Sequence, residues 1–270
     1  MGETDVVQSL LADLGKLSPH RQAALAVLST IQDDGSDAAD IAHAASSDPV
    51  LVARIMRMAN SSYYGLRGEV RQLHLAVSLL GALTLRGLAA SALVQAADEA
   101  GAELDHSVRC AVAAGMIAPR FGAEPGVAFC VGMVHDLGAV LLRNDDEMAY
   151  LAVREQAELD DQLQVELERL HWGVDHADLG AEALRRWDFP DEIWRAVASH
   201  HDPLAPPKPL LATLKAADCL ASLAEQPLGP DDLVQVLEVQ PCLLPSSMTA
   251  VDAANAIAAI REEIQKLGRY

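Results

Sequence analysis

His135-Asp136 stands in the middle of an apolar run that extends from Ala128 to Leu142. This pair restricts what the chain can fold into, because either group left unpartnered in an apolar interior costs on the order of several kcal/mol. Any stable fold must therefore bring further polar groups, or a metal ion, to this point. Neighbouring residues on a helix lie about 100° apart, so the two side chains can converge on one ion or one partner.

The other candidates lie on the apolar faces of segments with helical periodicity. His106 shares a stripe with Cys110, Ala113 and Ile117, and His176 aligns with Gly180, Ala183 and Trp187, where Gly180 leaves room for a close neighbour. Ile193, Val197, His200 and His201 occupy positions i, i+4, i+7 and i+8, so both histidines can face inward; Asp218 extends the stripe of Leu211 and Leu214. A single inward histidine is ordinarily a satisfied core residue, and Asp136 or Asp218 could cap a helix or pair with Arg109, Arg185 or Arg195. Taken together, the inward His and Asp residues are costly without a common destination, and the pattern predicts that they meet in one cavity. Imidazole and carboxylate donors suit Mn, Fe, Co or Zn at catalytic sites. A metal held this way lowers the pKa of a bound water and polarises a phosphoryl oxygen.

Hydrophobic residues make up 51% of the 270 and aromatics only 4%. A core built from Ala, Leu, Val, Ile and Met favours closely packed helices over an aromatic-rich sandwich, so the expected class is all-α. Helices are expected at 20–33, 37–46 and from Pro49 to near Tyr64-Gly65, with Ser47-Asp48-Pro49 as a cap followed by proline at the first helical position. Leu73–Leu80 and Leu83–Ala97 continue the pattern. The polar stretch 98–105 reads as a seam between a smaller N-terminal helical subdomain (1–100) and a larger bundle (101–270). Further helices are expected at about 106–119, 127–143, 146–156, 160–170, 174–187, 190–200, 207–225 and 250–268, with short helices and turns in the proline-bearing 226–249.

Twenty basic against 39 acidic residues give a net charge of −19. Such a surface repels nucleic-acid backbones and anionic lipid, and no Lys/Arg cluster overrides it. No apolar run is expected to reach the ~20 residues of a membrane span. The N-terminus has neither a signal sequence nor a myristoylation signal, and the expected location is cytoplasmic. Cys110, Cys130, Cys219 and Cys242 form no CxxC pair and read as buried free thiols.

The order His106, His135-Asp136, Asp218 resembles that of the HD-domain phosphohydrolases, and the added His176 and His200-His201 resemble the HD-GYP branch. More specific matches point to the HDOD domain: Ser47-Asp48-Pro49, the stretch Arg54 to Gly65 with Asn60-Ser61-Ser62-Tyr63-Tyr64-Gly65, Ala76 to Gly81, Gly173 to Ala181, Arg186 to Pro190, and His200-His201-Asp202-Pro203. The resemblance spans about residues 17 to 225. It implies an all-α HD-like helical bundle with a smaller N-terminal helical subdomain, in a bacterial signalling or regulatory protein that acts by contacting signalling proteins. The lysine that commonly follows the HD dipeptide in the enzymes is replaced here by Ala139, which removes a phosphate-holding charge. No Gly-Tyr-Pro follows His200-His201.

Three readings follow. The first is a non-enzymatic regulator that uses the His/Asp pocket as a metal- or ligand-stabilised switch or keeps it as a relic, with a partner surface in the groove between the two subdomains or on the stretch that includes Asn60, Tyr63 and Tyr64. The second is a metal-dependent phosphohydrolase, with His106, His135, Asp136 and Asp218 holding one ion and His176, His200 and His201 adding a second, bridged by Asp136. The third is a homodimer formed through 226–249 and the apolar face Ala253, Ala254, Ile257, Ala258 and Ile260; that face can equally pack on its own domain.

Overall fold

The computed structural model describes residues 7–8, 10, 19–61, 64, 69–94, 101–157, 160–229, 232–233 and 248–267. Their regular structure is helical throughout, as the aliphatic, aromatic-poor composition requires. The helices are α1 (Pro19–Gln32), α2 (Ala38–Ala45), α3 (Pro49–Ala59), α4 (Leu73–Val94), α5 (Gly101–Phe121), α6 (Pro125–Val134) and α7 (Leu137–Asp145), followed by α8 (Glu147–Ala157), α9 (Asp161–Trp172), α10 (His176–Arg186), α11 (Asp191–Ala198), α12 (Pro209–Glu225) and α13 (Ala250–Leu267).

Local chemistry sets the first boundaries. Asp37 accepts from the backbone amides of Ala39 and Asp40, and Asp40 accepts from the Asp37 amide, a reciprocal cap that starts α2. Asp48 caps α3 through the Val50 amide, with Pro49 at the first helical position. α3 ends at Ala59, earlier than the Tyr64-Gly65 expected from periodicity. The Asn60 side chain terminates it by clasping Val70: Oδ1 accepts from the Val70 amide at 3.0 Å and Nδ2 donates to the Val70 carbonyl at 2.9 Å. The two stretches read separately around residues 73–97 are two helical pieces that meet at a kink, where Gly81 leaves helical geometry at φ 74° and ψ 162°, a conformation that favours glycine; together they make α4, as far as Val94.

α4 packs on α1, α2 and α3 and also on α6, so it joins the N-terminal helices to the rest of the bundle. Residues Ala128 to Val134 of α6 are all buried, against α5, α12 and α11. Residues 101–105, expected in a polar seam, are instead the first turns of α5; 98–100 lie outside the described residues. The continuous helix expected over 127–143 is broken at His135-Asp136, with α6 ending at Val134 and α7 beginning at Leu137. This break aims both polar side chains to the same side.

The close approach anticipated at Gly180 is to Gly138, the second residue of α7. A Cβ on Gly138 would lie 1.9 Å from the His176 carbonyl oxygen, and a Cβ on Gly180 would lie 3.0 Å from the Gly138 amide. α7 and α10 therefore meet backbone to backbone, which brings His176 to the level of Asp136. A second join fixes the turn between α10 and α11. The Arg86 guanidinium donates to the carbonyls of Trp187 at 2.7 Å and Asp188 at 2.5 Å and lies 4.8 Å from the Phe189 ring centroid.

Two expectations change. α4 and the segment Pro125–Asp145 are each long and apolar enough to cross a membrane by length and composition, contrary to the expectation that no apolar run reaches that length. In this fold 67% and 78% of their apolar windows are buried against other helices. α13 turns Ala253, Ile257 and Ile260 onto α5 and α12, so much of the face offered for a dimer packs within the chain. Cys110 and Cys130 are buried thiols and Cys219 is half-buried, none of the three in a disulfide; Cys242 and most of 226–249 lie outside the described residues.

The contact between α7 and α10 predicts unequal costs for two alanines. Gly138→Ala must push the α10 backbone away and is expected to destabilise the chain by about 1–3 kcal/mol or more, well beyond Gly180→Ala. Urea denaturation of both variants measures this, and equal midpoints would contradict the contact.

Candidate metal centre

Five of the seven candidate side chains stand at helix ends or in the turn after one, and His106 and Asp218 come from within α5 and α12. His135 closes α6 and its Nδ1 contacts the Gly132 carbonyl at 2.9 Å, which turns Nε2 toward Asp136 Oδ2 at 3.2 Å and Asp218 Oδ1 at 3.8 Å. His200 does not extend α11 as periodicity suggested; the helix ends at Ala198, and His200 and His201 stand in the following turn. His200 Nδ1 lies 2.6 Å from the Val197 carbonyl and Nε2 lies 3.6 Å from Asp136 Oδ1. His176, the first residue of α10, places Nδ1 2.6 Å from Glu168 Oε2, and its Nε2 is 3.7 Å from Asp136 Oδ1 and 2.9 Å from His201 Nε2. His106 on α5 contributes Nε2 at 3.0 Å from Asp218 Oδ1 and 3.9 Å from Asp136 Oδ2.

All seven His and Asp candidates thus meet around one carboxylate. Oδ2 of Asp136 faces His106 and His135, while Oδ1 faces His176 and His200. Donor atoms from Asp136, His176, His200 and His201 lie within 4.8 Å of one another, as do those from His106, His135 and Asp218. The bland alternatives for the aspartates do not hold. Asp136 precedes α7 but makes no capping bond, and Arg109, Arg185 and Arg195 pair with Glu225, Glu182 and Asp191.

The donor set fits a divalent transition ion. His135 Nε2 and His200 Nε2 are buried without any hydrogen bond, an expensive condition for imidazole nitrogens that a metal ligand does not incur. In both rings Nδ1 is engaged by a backbone carbonyl, and in His176 by a carboxylate, the usual outer partners of metal-bound histidine. Two imidazole nitrogens about 2.1 Å from one ion and at right angles stand about 3 Å apart, close to the His176–His201 separation.

Without a cation, protons balance the charge. Burial disfavours the imidazolium of His106, yet hydrogen bonds to Asp218 and Glu225 outweigh it and lift its pKa to about 10. Burial likewise opposes charge on His176, and Glu168 overrides it to give about 9. His201, buried and crowded by His200 and His176, falls to about 2. Burial pushes the Asp136 and Asp218 carboxyls up, but the surrounding histidines hold both well below the usual range.

Several supporting residues escaped the sequence reading. Glu168 and Gln164 lie on the buried stripe of α9 with Val165 and Trp172, a signal that was legible as polar residues on an inward face. Glu225 reaches His106 Nδ1 at 3.3 Å, and Asp161 reaches His201 Nδ1 at 3.7 Å. The expected partner residues lie elsewhere. Asn60 is half-buried with its amide engaged at Val70, the Tyr64 hydroxyl lies 3.2 Å from that of Thr84, and Tyr63 lies outside the described residues.

The HDOD domain family profile matches residues 7–203. A crystal structure of a candidate phosphohydrolase from Shewanella amazonensis superposes with a TM-score of 0.70 at 23% identity, covering 96% of each chain. An HDOD domain protein of unknown function from Geobacter sulfurreducens gives 0.67 at 21% identity, covering 98% of this chain and 97% of that one. An uncharacterized protein of Treponema pallidum is 27% identical over 205 residues, 72% of this chain and 40% of that protein. The chain spans well under half the length of the curated relatives it matches.

The elevated imidazole pKa values give a signed pH prediction. Groups whose folded pKa lies above the unfolded value of about 6.5 stabilise fully below that pH, and this contribution is lost as pH rises through 9 and 10. Metal-free protein is therefore expected to lose thermal stability between pH 7 and 10. Binding of Zn²⁺ at pH 7 is expected to release protons from His106 and His176, read by titration calorimetry in buffers of differing ionisation enthalpy. Heats independent of buffer would contradict the assignment.

Proposed function

Because the chain belongs to the HDOD domain family, we propose that its His/Asp cavity is a working two-ion centre that hydrolyses a phosphoester. One observation carries this reading: His135, His176 and His200, all buried, have Nδ1 engaged and turn Nε2 onto the two oxygens of Asp136. A structural metal site is closed, whereas a catalytic one keeps an open side. The side chains of His106, Asp136 and Asp218 keep 18%, 22% and 24% of their surface exposed beside the buried rings, which leaves an approach from solvent.

A divalent ion bound here supplies a polarised phosphoryl oxygen and a water of lowered pKa. The chain's own residues divide the holding: His106, His135 and Asp218 on one side, His176, His200 and His201 on the other, with Asp136 presenting one oxygen to each. Among the described residues, Asp136 and Asp218 form ion pairs with histidines alone. Ala139 is buried, at the position where a lysine commonly follows the dipeptide in the HD-domain enzymes that this stretch resembles. Phosphate charge in this chain would thus be met by ions rather than by a fixed cation.

The same two facts, Ala139 and the −19 charge, favour a second reading. In it the centre stabilises a non-enzymatic regulator that contacts signalling proteins in the cytoplasm, alone or as a homodimer. Elemental analysis of chelator-free protein, joined to a phosphoesterase assay, separates the two. The hydrolase reading expects close to two Mn, Fe, Co or Zn ions per chain, with ion content and activity both lost in Asp136→Ala. Full ion content with no turnover of any phosphoester class favours the regulator, and a stable ion-free protein removes the hydrolase.

A further inference from the structure

α9 packs chiefly on α8, yet its inner face holds the polar groups that touch one half of the centre. Glu168 is completely buried, and both of its oxygens are engaged. Oε2 accepts from the His176 amide at 2.9 Å and from His176 Nδ1 at 2.6 Å, while Oε1 accepts from Gln164 Nε2 at 2.8 Å. Among the described residues its ion partner is His176 alone, with no Lys or Arg sharing it. A buried carboxylate is expensive unless the arrangement uses its charge.

Capping α10 does not explain that expense. Asp175 already caps the helix through the Asp178 amide, and a cap has no need of the His176 ring. Holding the residue by both its amide and its ring fixes the side-chain torsions, and so the direction of Nε2. The Gln164 bond in turn fixes the carboxylate, so the order reaches two residues back from the donor atom.

We propose that Glu168 is a positioning residue for the ion position formed by Asp136, His176, His200 and His201, acting by keeping a proton on His176 Nδ1 and Nε2 turned toward Asp136. This rests on the metal-centre reading above. Loss of such an outer partner typically weakens metal affinity about 10–100-fold. The other half of the centre, backed by Glu225 and the Gly132 carbonyl, does not depend on α9.

The test uses the full chain and Zn²⁺. Competition with a chromophoric chelator is expected to show two bound ions in the wild type, and in Glu168→Gln one ion at wild-type affinity with the other weakened about 10–100-fold. Nitrogen-proton spectra of the metal-free wild type are expected to show an exchange-protected proton on His176 Nδ1. Glu168→Gln is expected to lose that protection, and Gln164→Leu to reduce it, a change that a purely structural role would not produce. A wild type that binds no ion overturns the metal reading and this inference together. Two ions bound equally by wild type and Glu168→Gln overturn the inference alone, as does a wild-type His176 whose Nδ1 carries no protected proton. Should Glu168→Gln not fold, Gln164→Leu and the wild-type spectrum decide the question.

Discussion

The Asp136 carboxylate is the point on which the arrangement of helices depends. It stands at a break between two apolar helices, α6 and α7, with four histidines within 4 Å of its oxygens. Burying one carboxylate among several imidazoles is tolerable only if their number and orientation match, since an unmatched charge there costs several kcal/mol. Three of the surrounding elements arrive by an end, α6 by its last turn, α10 by its first residue and α11 by the turn that follows it, while α5 and α12 present His106 and Asp218 from within their length. Helix ends carry backbone groups not used within the helix, and these are what hold the rings, as the Gly132 and Val197 carbonyls do.

How much of this was legible depended on the range of the interaction. Convergence of His106, His135, Asp136, His176, His200, His201 and Asp218 could be read because each lies on an otherwise apolar stripe, and burial imposes that pattern locally. The caps at Asp37 and Asp48 are local too. The break at His135-Asp136 was invisible to periodicity, because apolar residues continue on both sides and the distinguishing force is the demand of partners far along the chain. The end of α3 was misplaced for the same kind of reason: Asn60 stops the helix by bonding Val70, ten residues away. Glu168 was overlooked because α9 is mostly polar, and attention to apolar stretches passes over a polar residue on a polar helix even when its face is inward.

The N-terminal helices are tied to the centre by a route that periodicity could not show. Arg86 on α4 grips the carbonyls of Trp187 and Asp188, and Gln32 at the end of α1 approaches the same turn at 3.3 Å from the Trp187 carbonyl. That turn leads into α11, after which His200 and His201 follow. Asp188 itself takes φ 54°, a conformation uncommon for a residue with a side chain. The guanidinium bonds are what hold that backbone in place. The position of two imidazoles is therefore set partly by helices that contribute no donor atom.

This arrangement ties the N-terminal helices to the donor set through one turn. If the N-terminal helices and the centre were independent, either could be lost without affecting the other. Here the Trp187–Pro190 turn is shared: one side receives Arg86 and Gln32, and the other continues into the ring-bearing turn. Any partner that displaced α4 would disturb the carbonyls that Arg86 holds, and any ion that fixed His200 and His201 would steady the same turn from the opposite side. Such linkage acts in both directions. An ion in the cavity and a partner on the N-terminal helices would thus act on the two ends of one short turn.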